Sequence, residues 1–294
     1  MEWIRSLLFV PSNRPAFLEK SARLAADALA LDLEDSVPLQ EKTAARGMAA
    51  AHLRTPGPRN CWVRVNAGLA LEEVAALTAL PRLAGFILPK SEVIDEIRSI
   101  DEAVTQAERR AGAAAGTTRL MLTLETARGV VLGYSLLQAS PRISTAIFAG
   151  ARDGDLMRDI GCDWSSDGPE LMHARQSALL AMRAAGVPYP LDGVYTDLRD
   201  AAGFEKDSAL SARLGYRGRT VIHPDQIAAA NRLYAPRPEA VARYRRLLQA
   251  FEPAQARGIA AIEFEGGMID EAMARNARHI VAAAERFENE TTRR

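Results

Sequence analysis

The chain has 294 residues, 48% apolar and 25% charged, which is ordinary for a globular protein and supplies a core of normal size. Its 37 basic residues cancel its 37 acidic ones, so no net field draws it to nucleic acid or an anionic membrane. No run approaches the roughly 18 consecutive apolar residues of a membrane-spanning helix. Only Lys20, Lys42, Lys90 and Lys206 are lysines against 33 arginines, which leaves few candidates for a Schiff-base amine. Cys61 opens a predicted strand and Cys162 sits in a polar loop, so neither a disulfide framework nor a zinc site is expected. The apolar stretch of MEWIRSLLFVPSNRP is too short for a signal peptide, and the expected location is the cytoplasm.

In chain order, short apolar and β-branched runs recur: RSLLFV (5–10), ALALDLE (28–34), CWVRVN (61–66), AGFILPK (84–90), LMLTLET (120–126), STAIFAG (144–150), PLDGVYT (190–196) and GRTVIHP (218–224). Their starts lie 23 to 46 residues apart, the length of a strand, a helix and two loops. The runs are largely apolar rather than alternating, as parallel strands buried on both faces are. Between them, residues 15–25 place Phe17, Leu18, Leu24 and Ala25 near one face, and 71–80 place Leu71, Val74, Leu77 and Leu80 at steps of three. Segments 93–112 and 168–186 are long, alanine-rich and charged on one side, and Gly112, Gly186 and Gly215 read as helix stops. Eight such units predict a (β/α)8 TIM barrel over residues 1–236. A doubly wound open sheet is the alternative, but eight regular units fit closure better. Pro236 and Pro238 break the pattern. Residues 237–294 then form a C-terminal extension: a helix (239–251), a weak strand (260–264), a glycine pair and a final helix (270–287), expected to serve as a lid or oligomerisation segment.

In a barrel of this kind chemistry sits where the strands end. There the sequence delivers Ser12, Asn13 and Arg14; Asp32, Glu34 and Asp35; Arg64 and Asn66; Lys90; Glu125 and Thr126; Arg152, Asp153 and Asp155; Asp192 and Asp197; and His223. Hard carboxylate oxygens without Cys or a His pair suit Mg²⁺ or Mn²⁺ rather than zinc. An arginine at a strand end suits a two-point grip on a carboxylate. Together these groups can stabilise an enolate beside a carbonyl.

Each residue also has a plainer reading. Asp35 and Asp192 serve equally as helix caps, and Asp163 and Asp167 as a loop residue and a cap. Arg64 can simply pair with Asp32 or Glu34 in the barrel mouth. Lys90 is read as a structural ion pair ahead of a Schiff-base amine, and His223 as a packed histidine. Glu125 is hardest to read plainly, because it ends an apolar strand with no charge beside it.

RSLLFVPSNRP, ALALDLEDSVP with EKTAAR, WVRVN, GFILPKSE, LETARGV, GRTVIHPDQI and GGMID, in that order, resemble the citrate lyase β-subunit/malyl-CoA lyase family of the HpcH/HpaI aldolase superfamily. The resemblance implies a Mg²⁺-dependent carbon–carbon lyase on a (β/α)8 barrel, cleaving citryl-, malyl- or citramalyl-CoA-like thioesters into a short acyl-CoA and a 2-oxoacid. It implies Glu125 as a metal ligand and Arg64 as the clamp on the oxoacid carboxylate. The second metal ligand is an Asp after strand six. Here the stretch GARDGDLMRDIG carries about two extra residues against the family pattern, so that it matches at Asp153 from the left and at Asp155 from the right, where the match is longer. Asn13 and Arg14 stand where the family approaches the thioester carrier. Asp270 resembles an acid on the segment that covers a neighbouring subunit's site, and is nominated for proton transfer. A homo-oligomer, trimer or hexamer, follows. A citrate lyase β-subunit acting on an acyl-carrier-protein thioester, a class II aldolase for free hydroxy-oxoacids, and a non-catalytic binding module are the competing readings. The last is weak, because Arg64, Glu125 and an Asp are all present.

Overall fold

The computed structural model describes residues 3–165 and 168–292. They form two compact units, one spanning residues 3–234 and one beginning at residue 235. In the first, eight parallel strands close into a barrel in sequence order: β1 (Ser6–Pro11), β2 (Ala28–Asp32), β3 (Cys61–Arg64), β4 (Leu83–Leu88), β5 (Arg119–Leu124), β6 (Ile143–Phe148), β7 (Leu191–Asp192) and β8 (Gly218–Val221). All eight predicted strands are present, and the fold is the predicted (β/α)8 barrel. Around it lie α1 (Pro15–Ser21), α2 (Lys42–Arg54), α3 (Ala70–Leu77), α4 (Ile94–Arg110), α5 (Ala127–Val131), α6 (Gly133–Leu137), α7 (Asp155–Ile160), α8 (Pro169–Ala184), α9 (Ala201–Leu214) and α10 (Asp225–Leu233).

The predicted glycine stops hold. Gly112, Gly186 and Gly215 follow α4, α8 and α9 with φ of +66°, +83° and +124°, a region open to glycine without steric cost. Two predicted apolar faces are rotated. Phe17 and Leu71 are exposed, whereas α3 buries Ala70, Glu73, Val74 and Leu77 at the 3.6-residue period. Glu73 is drawn inward because its carboxylate accepts the backbone N–H and side-chain amide of Asn66, at 2.8 and 2.6 Å. Asp167 lies outside the described residues.

The period of two along each strand sorts side chains between two cores. Leu7, Ala28, Ala30, Trp62, Ile87, Met121, Ile147 and Leu191 fill the barrel interior. Leu8, Leu29, Leu31, Val63, Phe86 and Leu122 pack in the shell beneath the helices. The Trp62 ring takes up the interior beside Gly85, where a Cβ would come within 2.7 Å of it. Continuing the inward alternation past Ala30 and Trp62 reaches Asp32 and Arg64, which are register partners on β2 and β3.

β7 is only two residues long. Its ladder stops because the Asp192 carboxylate accepts the Gly193 N–H at 2.9 Å, and because Gly193 presses on β6 so closely that a Cβ would lie 2.7 Å from the Phe148 carbonyl oxygen. No helix among the described residues is long and apolar enough to cross a membrane.

The second unit comprises α11 (Pro238–Gln255), β9 (Ala261–Phe264), β10 (Gly267–Asp270) and α12 (Glu271–Thr292). β9 and β10 form an antiparallel hairpin whose turn residues, Glu265 and Gly266, both have positive φ, at +48° and +77°. The sequence predicts a strand at 260–264 but only a turn or hinge at the glycine pair. Gly267–Asp270 is too short and too glycine-led to read as a strand, and pairing with β9 makes it one. Leu247, Phe251, Ile269, Ala274 and Ala277 form this unit's own core.

Candidate active site

At the C-terminal ends of β2 to β6 the barrel mouth collects five carboxylates, Asp32, Glu34, Asp35, Glu125 and Asp155, around Arg64 and Lys90. Arg64 reaches Asp32 through Nε and Nη2, both at 2.7 Å, with Phe9 beneath its guanidinium at 5.0 Å. Its Nη1 lies 3.0 Å from Glu34 and 3.2 Å from Asp35. The plainer role foreseen for Arg64, pairing with Asp32 or Glu34, is therefore what its contacts describe. The Nε–Nη2 edge is taken by Asp32, and only the Nη1 side faces groups that can be displaced.

Burial by itself raises the pKa of Asp32. The Arg64 hydrogen bonds and charge, the Ser36 hydroxyl and the Glu34 N–H outweigh it, so Asp32 titrates below the ordinary value and stays a carboxylate. Burial lowers the pKa of Arg64, but its hydrogen bonds to Asp32 and the charges of Asp32, Glu34 and Asp35 outweigh that, raise it and keep Arg64 charged. Glu34 is pushed the other way, upward, chiefly by burial and also by Asp35, with Arg64 and Lys90 opposing.

Glu125 follows β5 and is 7% exposed. Its Oε1 accepts the Lys90 backbone N–H at 2.6 Å, and it forms no ion pair among the described residues. Burial, with the Glu34 charge adding, raises its pKa. Lys90 stands just past β4. Burial lowers its pKa, but Glu34, Asp35 and Glu125 more than reverse that and hold it protonated. Its Nζ donates to Glu34 Oε1 at 2.7 Å and lies 3.3 Å from Asp155. This is the ion-pair role expected of Lys90.

The structure brings Asp155, and not Asp153, to this cluster. Asp155 opens α7, whereas the Asp153 side chain is 85% exposed on the preceding loop beside Arg152. A contact the sequence does not reveal sets α7 in place: Asp159 Oδ2 accepts the N–H of Ala127, two residues beyond Glu125, at 2.7 Å. One helix therefore carries Asp155 and is anchored by Asp159 to the Glu125 loop.

Among the described residues no three His, Cys, Asp or Glu side chains converge closely enough to cage a metal ion by themselves. The donor set still fits a hard divalent cation. A buried carboxylate that forms no ion pair and a second carboxylate on the far side of Lys90 are the oxygen donors available to one. An ion such as Mg²⁺ keeps waters or substrate in its remaining positions.

The other predicted residues lie around this centre. Asn13 is buried; its amide donates to Glu41 at 2.6 Å, while its carbonyl oxygen has no partner. Arg14 is exposed at the start of α1. His223 is partly exposed, its Nδ1 accepting the Asp225 N–H at 3.3 Å. In the second unit, Asp270 accepts the Met273 N–H at 3.0 Å and caps α12. Asp192 turns away from the carboxylate cluster to Arg175 of α8, 3.0 Å from Nε. Arg175 also binds Asp207 of α9 at 2.8 Å. Arg219 of β8 donates to the Gly193 carbonyl at 2.8 Å and pairs with Asp207 at 3.0 Å. Arg175, Asp207 and Arg219 carry no local signal, since they lie on three different elements.

Comparison with known proteins agrees with this architecture. Residues 5–224 match the family model described as HpcH/HpaI aldolase/citrate lyase. The chain is 35% identical over 285 residues to citrate lyase subunit beta of Escherichia coli K12, covering 96% of this chain and 93% of that one. It is 33% identical over 304 residues to the L-malyl-CoA/beta-methylmalyl-CoA lyase of Cereibacter sphaeroides, covering 96% and 94%. Its fold superposes with a TM-score of 0.74 on the crystal structure of CitE from Mycobacterium tuberculosis in complex with magnesium, acetoacetate and coenzyme A, at 29% identity, over 95% of this chain and 97% of that one.

Proposed function

The chain belongs to the HpcH/HpaI aldolase/citrate lyase family, and we propose that it is a Mg²⁺-dependent carbon–carbon lyase. Its substrate is a 3-hydroxyacyl-CoA bearing a carboxylate, of the citryl-, malyl- or citramalyl-CoA kind, which it splits into a short acyl-CoA and a 2-oxoacid. The carrying observation is the approach of Glu125 and Asp155 to Lys90 from two sides, in a mouth where five carboxylates face two cations. Such a site has surplus negative charge to hold a divalent ion, with Mn²⁺ a suitable substitute for Mg²⁺. When bound, the ion supplies Lewis acidity toward the carboxylate and carbonyl oxygens of a 2-oxoacid.

The chain's own groups do the rest. Glu125 and Asp155 hold the ion. Arg64, fixed by Asp32 on one edge, turns its Nη1 side to the oxoacid carboxylate and displaces Glu34 or Asp35 there. Asn13, with its unpartnered carbonyl oxygen, and the exposed Arg14 flank the approach of the thioester. In cleavage the substrate's hydroxyl loses its proton to water, and its oxygen becomes the carbonyl of the 2-oxoacid. The electron pair of the broken carbon–carbon bond is left on the thioester fragment as an enolate, which takes up a proton at carbon. Asp270 of an adjacent subunit in a homo-oligomer, a trimer or hexamer, is the proposed partner for that proton, and the C-terminal unit is the lid that excludes water. The setting is the cytoplasm.

A panel of acyl-CoA and 2-oxoacid pairs with Mg²⁺, assayed in both directions, tests this reading. Turnover of a CoA thioester by the isolated protein is expected. Activity appearing only on addition of an acyl carrier protein favours the second reading, a citrate lyase β-subunit, which the 35% identity to the Escherichia coli protein supports. Cleavage of free hydroxy-oxoacids without any thioester favours a class II aldolase.

A further inference from the structure

Lys90 has a left-handed backbone, φ +47°, a region costly for a residue with a side chain and found where surrounding contacts impose it. In that conformation one residue meets two carboxylates with different parts of itself. Its backbone N–H binds Glu125 at 2.6 Å, and its ammonium lies 3.3 Å from Asp155. The same ammonium holds Glu34 at 2.7 Å and stands 3.7 Å from Asp35. Glu34 in turn lies 3.0 Å from Arg64. In a chain with 33 arginines and four lysines, this place is held by a lysine. A compact ammonium carries three donors on one atom, whereas the donors of a guanidinium are spread around a plane.

Building on the metal-dependent lyase reading, we propose that Lys90 is a positioning residue that withholds Glu34 from the cation. Four acidic side chains lie around this spot, and a third one turned onto the cation would take a position from the oxoacid. Lys90 hydrogen-bonds Glu34 at 2.7 Å and only approaches Asp155 and Asp35, at 3.3 and 3.7 Å, so Glu34 is held back while Glu125 and Asp155 serve as the protein's ligands. The remaining coordination positions stay open to the oxoacid. Removing the ammonium has two consequences of opposite sign: the ion binds more tightly, because one positive charge is gone and Glu34 loses its shorter contact and keeps only Arg64, while the oxoacid binds less well, because Glu34 takes one of its positions. A residue that only supported the fold would weaken both.

The test is Lys90→Met in the full-length protein, with Lys90→Gln in its place if thermal melts show that the methionine variant does not fold. Mn²⁺ binding is followed by electron paramagnetic resonance, without substrate. Pyruvate, a minimal 2-oxoacid, is then titrated into the Mn²⁺-loaded protein. Mn²⁺ is expected to bind about tenfold more tightly than to the wild type, and pyruvate about tenfold more weakly. Adding Glu34→Gln to the variant is expected to return Mn²⁺ affinity most of the way to the wild-type value. Mn²⁺ affinity that is unchanged or weaker in the Lys90 variant overturns the proposal, as does a tightening that Glu34→Gln leaves intact. If the wild type binds no Mn²⁺, or Glu125→Gln binds it as well as the wild type, the metal-dependent reading falls and this proposal falls with it.

Discussion

Replacing Glu108 by Gln removes one charge from a clamp at the face of the barrel opposite the candidate site. Glu108, near the end of α4, is fully buried. It accepts the N–H groups of Thr118 and Gly116 at 2.7 and 2.9 Å, and both terminal nitrogens of Arg142 at 3.0 and 2.8 Å. Thr118 leads into β5 and Arg142 into β6, so the clamp joins a helix end to the entries of two strands. Burial works against the charge, but these donors prevail and hold the carboxyl at about 2 against an ordinary 4.5. At roughly 1.36 kcal/mol per pH unit, the charged form contributes about 3 kcal/mol at neutral pH. A group with a depressed folded-state pKa contributes fully above its unfolded value and loses that contribution as pH falls through the folded one. The glutamine variant, which has no such titration, should therefore unfold in urea about 3 kcal/mol more easily than the wild type at pH 7, with the difference narrowing to about 2 kcal/mol at pH 3.5. The kcat of the folded variant at low temperature should be unchanged, because the clamp touches no residue of the mouth. A loss under about 1 kcal/mol at pH 7, or a difference that stays constant in acid, refutes the assignment of the stabilisation to the charged carboxylate.

Glu125→Gln should nearly abolish turnover and weaken Mg²⁺ binding by calorimetry while leaving the melting temperature close to wild type; full turnover after EDTA treatment would contradict this. Arg64→Lys should cost at least about a hundredfold in kcat/KM although the charge is kept, because an ammonium cannot span both oxygens of Asp32 and still face a substrate; near-normal kinetics would leave Arg64 a purely structural ion pair. Mixing inactive Glu125→Gln and inactive Asp270→Ala subunits should restore part of the activity if Asp270 serves a neighbouring barrel. Mixed oligomers that stay inactive despite subunit exchange, or a fully active Asp270→Ala protein, would leave Asp270 with its cap on α12 alone.

The barrel was legible because each strand is announced by its own apolar run, a local signal that needs no partner. Asp32 and Arg64 were legible for the same reason: counting by two from Ala30 and Trp62 carries them to the inner face of the mouth. What a side chain does after arriving there is decided by distant neighbours. Arg64 reads both as a two-point clamp and as a partner of Asp32 or Glu34, and it is Asp32, one βα unit away, that closes one edge. The choice between Asp153 and Asp155 depended on which one a helix start turns toward Lys90. Asp159 had no signal, since its partner is the backbone N–H of Ala127 in another loop. The hairpin strand β10 was hidden because four residues led by glycine acquire strand geometry only from the partner they pair with.

The two-residue β7 has a consequence for how the mouth can vary. Backbone pairing of β7 with β6 and β8 is sparse, and side chains tie its end to other elements: Arg175 of α8 on Asp192, and Arg219 of β8 on the Gly193 carbonyl. A wall joined this way has a seam, where local opening takes less free energy than elsewhere in the ring. The residues gathered around Lys90 come from the arc of β2 to β6, on longer ladders. The loops beyond β7 can thus lengthen or change composition while the carboxylates and the arginine across the mouth keep their spacing.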